Sequence, residues 1–292
     1  MASTKYYIVD VFAEEKYAGN QLAVFLNAGS LSPEVMQRLA NEMHFSETTF
    51  IASDEEHNGG YDVRIFTPDE ELPFAGHPTL GTAYIIKHEI MKNPGPEIRL
   101  NLGVGQITVT IDDPSGVLWM KQKEPVFLRR FDPSAIANML GIDESDIDDR
   151  FPTEEVSTGI SFVVVPLKDL RSIKDAYLDL RKYNAFFGDK KPEGLLVFCP
   201  ETLKRENNLH VRVFTKFPNV LEDPATGSGN GCLAAYLVRH QYFSSSKVDI
   251  RVEQGCEMGR PSLLFLRSED TGGHIDVNVG GKVIPIAKGE LE

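Results

Sequence analysis

Short apolar runs, rich in β-branched and aromatic residues and bounded by turn residues, dominate the chain. In the first half they are Tyr6–Phe12, Leu22–Phe25, Thr48–Ala52, Tyr61–Phe66, Gln106–Ile111 and Val117–Lys121. In the second half they are Ser161–Val165, Leu195–Phe198, Leu209–Phe214, Val248–Val252, Ser262–Leu266 and His274–Val279. Their length and composition predict strands. Helical signals are fewer. Ser32 before Pro33 predicts a capped helix start, after which Met36, Leu39, Ala40 and Met43 share one face. Ile173–Asn184 gives a weaker helical pattern. Leu80–Ile86 and Cys232–Val238 differ in kind, being apolar nearly all round. A helix like that has to be enclosed on every side.

The pattern occurs twice. Val63-Arg64-Ile65-Phe66-Thr67 returns 148 residues later as Val211-Arg212-Val213-Phe214-Thr215. Ile98-Arg99-Leu100, followed by Gly103, returns 152 residues later as Ile250-Arg251-Val252, followed by Gly255. Between these landmarks each half has a Gly/Pro-rich turn and then the all-round apolar run. A period near 150 is too long for a solenoid and predicts two copies of one domain. The expected fold is α+β: two pseudo-symmetric domains, each a curled, mostly antiparallel, barrel-like sheet around a central helix. The expected boundaries are 1–122, joined by a returning C-terminal strand in 282–292, and 123–281. Glu124–Asp132, punctuated by Pro125 and Pro133, is the expected crossover. The last strand, Val283–Ala287, has no counterpart in the first half.

The helix starts bring in chemistry. Asp223-Pro224 and His77-Pro78 sit where the two buried helices begin, and Asp223 reads as an N-cap. Glycines beside them let backbone N–H groups approach a ligand, and a helix start favours an anion. A pseudo-twofold relation between the halves would bring the two starts to one cleft, suited to a small carboxylate substrate.

Charge and composition narrow the classes. The 292 residues carry a formal net charge of −13, with the acidic residues dispersed. That sign disfavours nucleic acid and anionic membrane surfaces, while local backbone dipoles still admit a small anionic substrate. There is no apolar run of membrane-spanning length and no h-region near the N-terminus. Three cysteines without CxxC spacing (Cys199, Cys232, Cys256) form neither a disulfide framework nor a zinc site. They fit a reducing compartment, so a cytoplasmic location is expected. The seven histidines show no metal-ligand spacing, so no metal is expected. Thr226-Gly227-Ser228-Gly229-Asn230-Gly231 matches neither nucleotide-loop pattern.

Several blocks carry a family resemblance. Ser46-Glu47-Thr48-Thr49-Phe50, Phe66-Thr67-Pro68, and Glu71-Leu72-Pro73-Phe74-Ala75-Gly76-His77-Pro78 lie in the first half. Glu222-Asp223-Pro224-Ala225-Thr226-Gly227-Ser228 and Gln254-Gly255-Cys256-Glu257-Met258-Gly259-Arg260-Pro261-Ser262 lie in the second. Together, in this order, they resemble the PhzF (phenazine biosynthesis) family, which has the diaminopimelate-epimerase-like fold. The resemblance implies an isomerase acting on a dihydro-hydroxyanthranilate, without metal or organic cofactor, and a homodimer. It implies that Glu47 is the catalytic carboxylate, taking a proton from one ring carbon and returning it to another. It implies that His77 and Asp223 position the substrate and assist, and that Gly76, Gly227 and Ser228 contact it. Asn20 is a further substrate-binding candidate, in Gly19-Asn20-Gln21, which stands where Gly-Asn-Pro is common. Cys232 likewise stands where proline is usual, and both departures bear on substrate identity.

Each assignment has a plainer alternative. Glu47 reads otherwise as a surface carboxylate after a helix, Asp223 as a cap only, and His77 as a structural histidine bonded to backbone. Phe45 and Phe50 flank Glu47, and burial raises a carboxyl pKa toward a working base. Cys232 and Cys256 read as small buried residues. A thiol racemase on the same fold is a rival, but the places of its two cysteines hold Ala75 and Thr226. A non-catalytic metabolite-binding protein is the other rival.

Overall fold

The structure, a computed structural model, describes residues 4–92, 95–217 and 220–291. Residues 1–3 of the N-terminal stretch read above lie outside that range. In chain order the elements are β1 (Lys5–Val11), β2 (Asn20–Phe25), α1 (Pro33–Met43), β3 (Glu47–Ile51), β4 (Tyr61–Phe66), β5 (Glu71–Leu72), α2 (Gly76–Ile85), β6 (Glu97–Leu102), β7 (Gly105–Asp112) and β8 (Val117–Lys121). They continue as β9 (Val126–Arg130), α3 (Pro133–Leu140), β10 (Glu154–Ser157), β11 (Ser161–Pro166), α4 (Leu170–Asp175), α5 (Leu180–Phe187), β12 (Gly194–Cys199), β13 (Leu209–Phe217), β14 (Val220–Asp223), α6 (Gly227–Arg239), β15 (Lys247–Gln254), β16 (Ser262–Asp270), β17 (Ile275–Gly281) and β18 (Val283–Glu290). The chain divides into two compact units, Met1–Met120 with Gly280–Glu292, and Lys121–Val279.

Each unit repeats one pattern of strand pairing. In the first, β1 lies antiparallel between β18 and β2, β2 runs parallel to β3, and β3 pairs antiparallel with β4. Then β4 pairs with β5 antiparallel and β6 parallel, and β6 pairs with β7 antiparallel. In the second, β10 lies antiparallel between β9 and β11, β11 runs parallel to β12, and β12 pairs antiparallel with β13. Then β13 pairs with β14 antiparallel and β15 parallel, and β15 pairs with β16 antiparallel.

This register corrects one expectation. Glu124–Asp132 is not a bare crossover, because it contains β9. β18 joins the first unit, and its counterpart is β9 of the second: each flanks the first strand of its unit. The alternation rule misses β9 because its side chains are largely exposed, with Val126 and Leu128 facing outward. Backbone pairing to β10, not burial, holds it. The weak helix at Ile173–Asn184 is also corrected: it is two helices. Ala176 is extended (ψ 138°), and Asp179 caps α5 by accepting from the Arg181 and Lys182 amides. Pro133, read as punctuation, opens α3 behind the Asp132 cap.

The two central helices are enclosed. α2 packs against β1, β2, β3, β6, β7 and β18, and Leu80, Ala83 and Ile85 are fully buried. α6 packs against β10, β11, β12, β15 and β16, and Cys232–Val238 is fully buried. Full burial of a leucine or isoleucine contributes roughly 1.5–3 kcal/mol. No described helix is long and apolar enough to cross a membrane.

A bidentate ion pair precedes each helix start. Arg64 on β4 grips Glu71 on β5 (Nε–Oε1 2.7 Å, Nη2–Oε2 2.6 Å), and Arg212 on β13 grips Glu222 on β14 (2.9 Å for both). Each guanidinium also lies over a ring two residues on, Phe66 or Phe214. Fork-on-fork geometry of this kind fixes direction as well as distance. It sets the short strand from which the chain turns into each central helix.

Gly81 is where α2 comes closest to the sheet. A Cβ there would stand 2.5 Å from Leu22 Cδ2 and 2.9 Å from Val11 Cγ2. Gly81→Ala should therefore destabilise by about 1–3 kcal/mol, despite alanine's better helix propensity. Urea unfolding measures this, and an unchanged midpoint would refute the close packing.

Candidate active site

The first unit gathers Asn20, Glu47, Gly76 and His77. Glu47 opens β3, after a left-handed turn at His44 (φ 55°) ends α1. The parallel register places it opposite Leu22, two residues beyond buried Asn20 at the start of β2. Gly76 and His77 are the first two residues of α2, both buried. Behind Glu47, the Thr49 and Thr82 hydroxyls meet at 2.8 Å and tie β3 to α2. The sequence reading missed this tie, because two threonines 33 residues apart carry no pattern.

His77 Nε2 lies 3.4 Å from Glu47 Oε2, outside hydrogen-bond geometry. The His77 side chain is 6% exposed and that of Glu47 17%. Burial pushes the imidazole down from its ordinary 6.5 to about 3, opposed by a hydrogen bond to the Gln21 backbone. That bond favours the protonated ring, so Gln21 offers its carbonyl. Among the described residues Nε2 has no hydrogen-bond partner, so the carbonyl is met by Nδ1–H. The ring is then neutral near pH 7, with the Nε2 lone pair toward Glu47.

The second unit gathers Asp223, Gly227 and Ser228. Asp223 is not the helix cap that the sequence suggests. It ends β14, the N-cap is Thr226, and α6 begins at Gly227. Pro224-Ala225-Thr226 separates Asp223 from the helix, so its carboxylate meets a side chain instead. Thr226 Oγ1 donates to Asp223 Oδ2 at 2.5 Å. Gln254 Nε2 donates to Asp223 O (2.7 Å) and to Thr226 Oγ1 (3.0 Å). Gln254 Oε1 accepts from Asn230 Nδ2 (2.8 Å) and the Thr226 amide (3.3 Å). Gln254 and Asn230 are buried polar residues that sequence reasoning did not single out. The available signal was that Gln254 opens a motif block and that Asn230 lies in the glycine-rich stretch at the start of α6. Gly227 is buried, and Ser228 half-buried at the second position of α6. Neither central helix has a side-chain cap bond at its start.

The repeat is chemically one-sided. The register that places Glu47 opposite Leu22 places Gly194 opposite Phe162 in the second unit. A Cβ at Gly194 would stand 2.0 Å from Phe214 O, so no carboxylate-bearing side chain fits there. Thiol chemistry has little support. Desolvation pushes Cys232 and Cys256 up to about 11 and Cys199 up to about 12, leaving all three thiols protonated near neutral pH. Among the described residues no group of three or more His, Cys, Asp or Glu side chains is placed to hold a metal ion.

Comparison with known proteins gives the relationship. The model of the phenazine biosynthesis-like protein family (PhzC-PhzF) matches residues 9–289. The chain belongs to this family. It is an isomerase of the family, similar along its whole length to relatives that carry that name. It is 34% identical over 289 residues to the trans-2,3-dihydro-3-hydroxyanthranilate isomerase of Pseudomonas aeruginosa, covering 98% of both chains. It is 31% identical over 303 residues to an uncharacterised isomerase of Mesorhizobium japonicum, covering 100% of this chain and 99% of the other. The crystal structure of a PhzF-family protein from Bacillus anthracis matches in fold with a TM-score of 0.89, at 23% identity and full coverage of both chains.

The buried neutral histidine has a pH signature. The unfolded chain takes up a proton near pH 6.5 that the folded ring refuses until about pH 3. The contribution of His77 to stability therefore falls as the pH drops through that window. Side-chain ¹⁵N NMR should show His77 neutral from about pH 8 to about pH 5. An imidazolium spectrum by pH 6 would refute the neutral ring.

Proposed function

We propose that the chain isomerises a small anionic cyclic metabolite, trans-2,3-dihydro-3-hydroxyanthranilate or a close analogue, with Glu47 as the proton-transferring group. The observation that carries this is the Glu47–His77 pair: a mostly buried carboxylate 3.4 Å from the bare nitrogen of a neutral imidazole. The Glu47 carboxylate takes a proton from one ring carbon. The electron pair left behind spreads over the ring's double bonds, and a different carbon takes the proton back from Glu47. Composition and oxidation state are unchanged, so the step balances without an oxidant, a reductant or a second substrate. Between removal and return, the Glu47 carboxylic acid faces the unprotonated His77 Nε2 at 3.4 Å, an acceptor that a small rotation of the carboxyl would bring into hydrogen-bond geometry. A charged imidazolium there would hold Glu47 ionised instead and hinder its protonation.

Binding is assigned to the helix starts. The amides of Gly76 and His77, and those of Gly227 and Ser228, are the first N–H groups of α2 and α6. Such groups favour a carboxylate. Asn20 and Asp223 supply the amide and carboxylate that orient the amino and hydroxyl groups of the ring.

The test is to incubate the protein with trans-2,3-dihydro-3-hydroxyanthranilate in D₂O and follow the ring protons by NMR. Isomerisation should occur, and Glu47→Gln should lower kcat by about 10²–10⁴-fold while retaining the fold. Full activity in Glu47→Gln would remove Glu47 from the chemistry. No change with the native protein would remove this substrate.

A further inference from the structure

The repeat supplies an internal control for the polar network around Asp223. The strand registers put Asp223 in the place of Leu72, and Gln254 in the place of Leu102. The helix starts align Thr226 with Ala75 and Asn230 with Thr79. In both units the helix's fourth residue turns its side chain back onto the N-cap carbonyl: Thr79 Oγ1 onto Ala75 O (2.7 Å) and Asn230 Nδ2 onto Thr226 O (3.0 Å). That bond belongs to the fold. Leucine and alanine complete the same corner in the first unit, so the fold does not need the hydroxyl of Thr226 or the amide of Gln254. Burying those polar groups is unfavourable unless they are fully bonded.

The donor directions follow from chemistry. Asn230 Nδ2 faces the Thr226 carbonyl, so it is the amide's donor end, and Gln254 Oε1 accepts from it and from the Thr226 amide. Gln254 Nε2 is then the donating end, as its bond to the Asp223 carbonyl requires. Its second hydrogen goes to Thr226 Oγ1. With an oxygen lone pair so occupied, the Thr226 hydroxyl points its own hydrogen at Asp223 Oδ2. Threonine is a favoured N-cap, yet this hydroxyl makes no cap bond. It serves the carboxylate three residues before it, not the helix.

We propose that Thr226 and Gln254 are positioning residues for Asp223. The amide fixes the direction of the hydroxyl, and the hydroxyl fixes the orientation of the carboxylate. The proposal rests on the reading of Asp223 as a substrate contact. Three proteins test it: the native enzyme, Thr226→Val, which keeps the shape and loses the hydroxyl, and Thr226→Ser, which keeps the hydroxyl. Thr226→Val should lower kcat by about 10–100-fold. Its KM should stay within about threefold of the native value. Thr226→Ser should recover most of the loss.

Exchange of the Gln254 side-chain amide protons, followed by NMR without substrate, is the second readout. It should be slow in the native enzyme and Thr226→Ser, and faster in Thr226→Val. Native kcat in a folded Thr226→Val, or a Thr226→Ser as impaired as Thr226→Val, would overturn the positioning role. Equal amide exchange in all three proteins would overturn the relay whatever the activity. A native enzyme that does not turn over the substrate counts against the proposed function, and the amide exchange then judges the relay alone.

Discussion

Enclosure of an apolar helix by a curled sheet is the constraint on which the rest of this molecule depends. α2 and α6 have almost no polar face, so each is stable only while strands cover it on all sides. The sheet must then curl closely enough to touch the whole helix, and Gly81 shows how close that approach is. A helix held this firmly has a fixed starting point. Its first amides, and whatever side chains begin the neighbouring strands, are thereby fixed as well. The arginine forks at Glu71 and Glu222 complete the arrangement by setting the strand that enters each helix.

One scaffold, used twice, carries two different sets of polar groups. The first unit has Glu47 and His77 where the second has Gly194 and Ser228. The second has Asp223, Thr226 and Gln254 where the first has Leu72, Ala75 and Leu102. Each polar set sits in a corner that its sister unit fills with apolar or small residues. Departures of this kind from the needs of folding are expected at functional sites. Neutrality of His77 follows from the same enclosure, because desolvation at the helix start outweighs its bond to the Gln21 backbone.

Much of the architecture was legible in the sequence because burial writes a pattern. The duplicated Val-Arg-x-Phe-Thr strands, the Ser32-Pro33 helix start and the two all-round apolar runs each reflect an apolar environment. Elements held by other means were not legible. β9 has exposed side chains and depends on backbone pairing, and β14 and β5 are short and polar. The break at Ala176 depends on the Asp179 cap, which a weak helical pattern conceals. At the site, the motif blocks pointed to Glu47, His77 and Asp223, but their surroundings were hidden. Thr82 and Gln254 lie 33 and 31 residues from the groups they support, and only tertiary structure brings them there. Asp223 was misread as a cap for a related reason: Asp-Pro before a helix is a common start signal, and the three-residue offset is a property of the turn.

The central claim is that one carboxylate, Glu47, both removes and returns the proton. A single-turnover reaction in H₂O tests it most directly, using substrate deuterated at the ring carbon that loses its proton. The account predicts that part of the deuterium reappears at the carbon that is protonated, because the group holding the label is the group that delivers it. Complete loss of the label to solvent in the first turnover, with protonation continuing in Glu47→Gln, would contradict it.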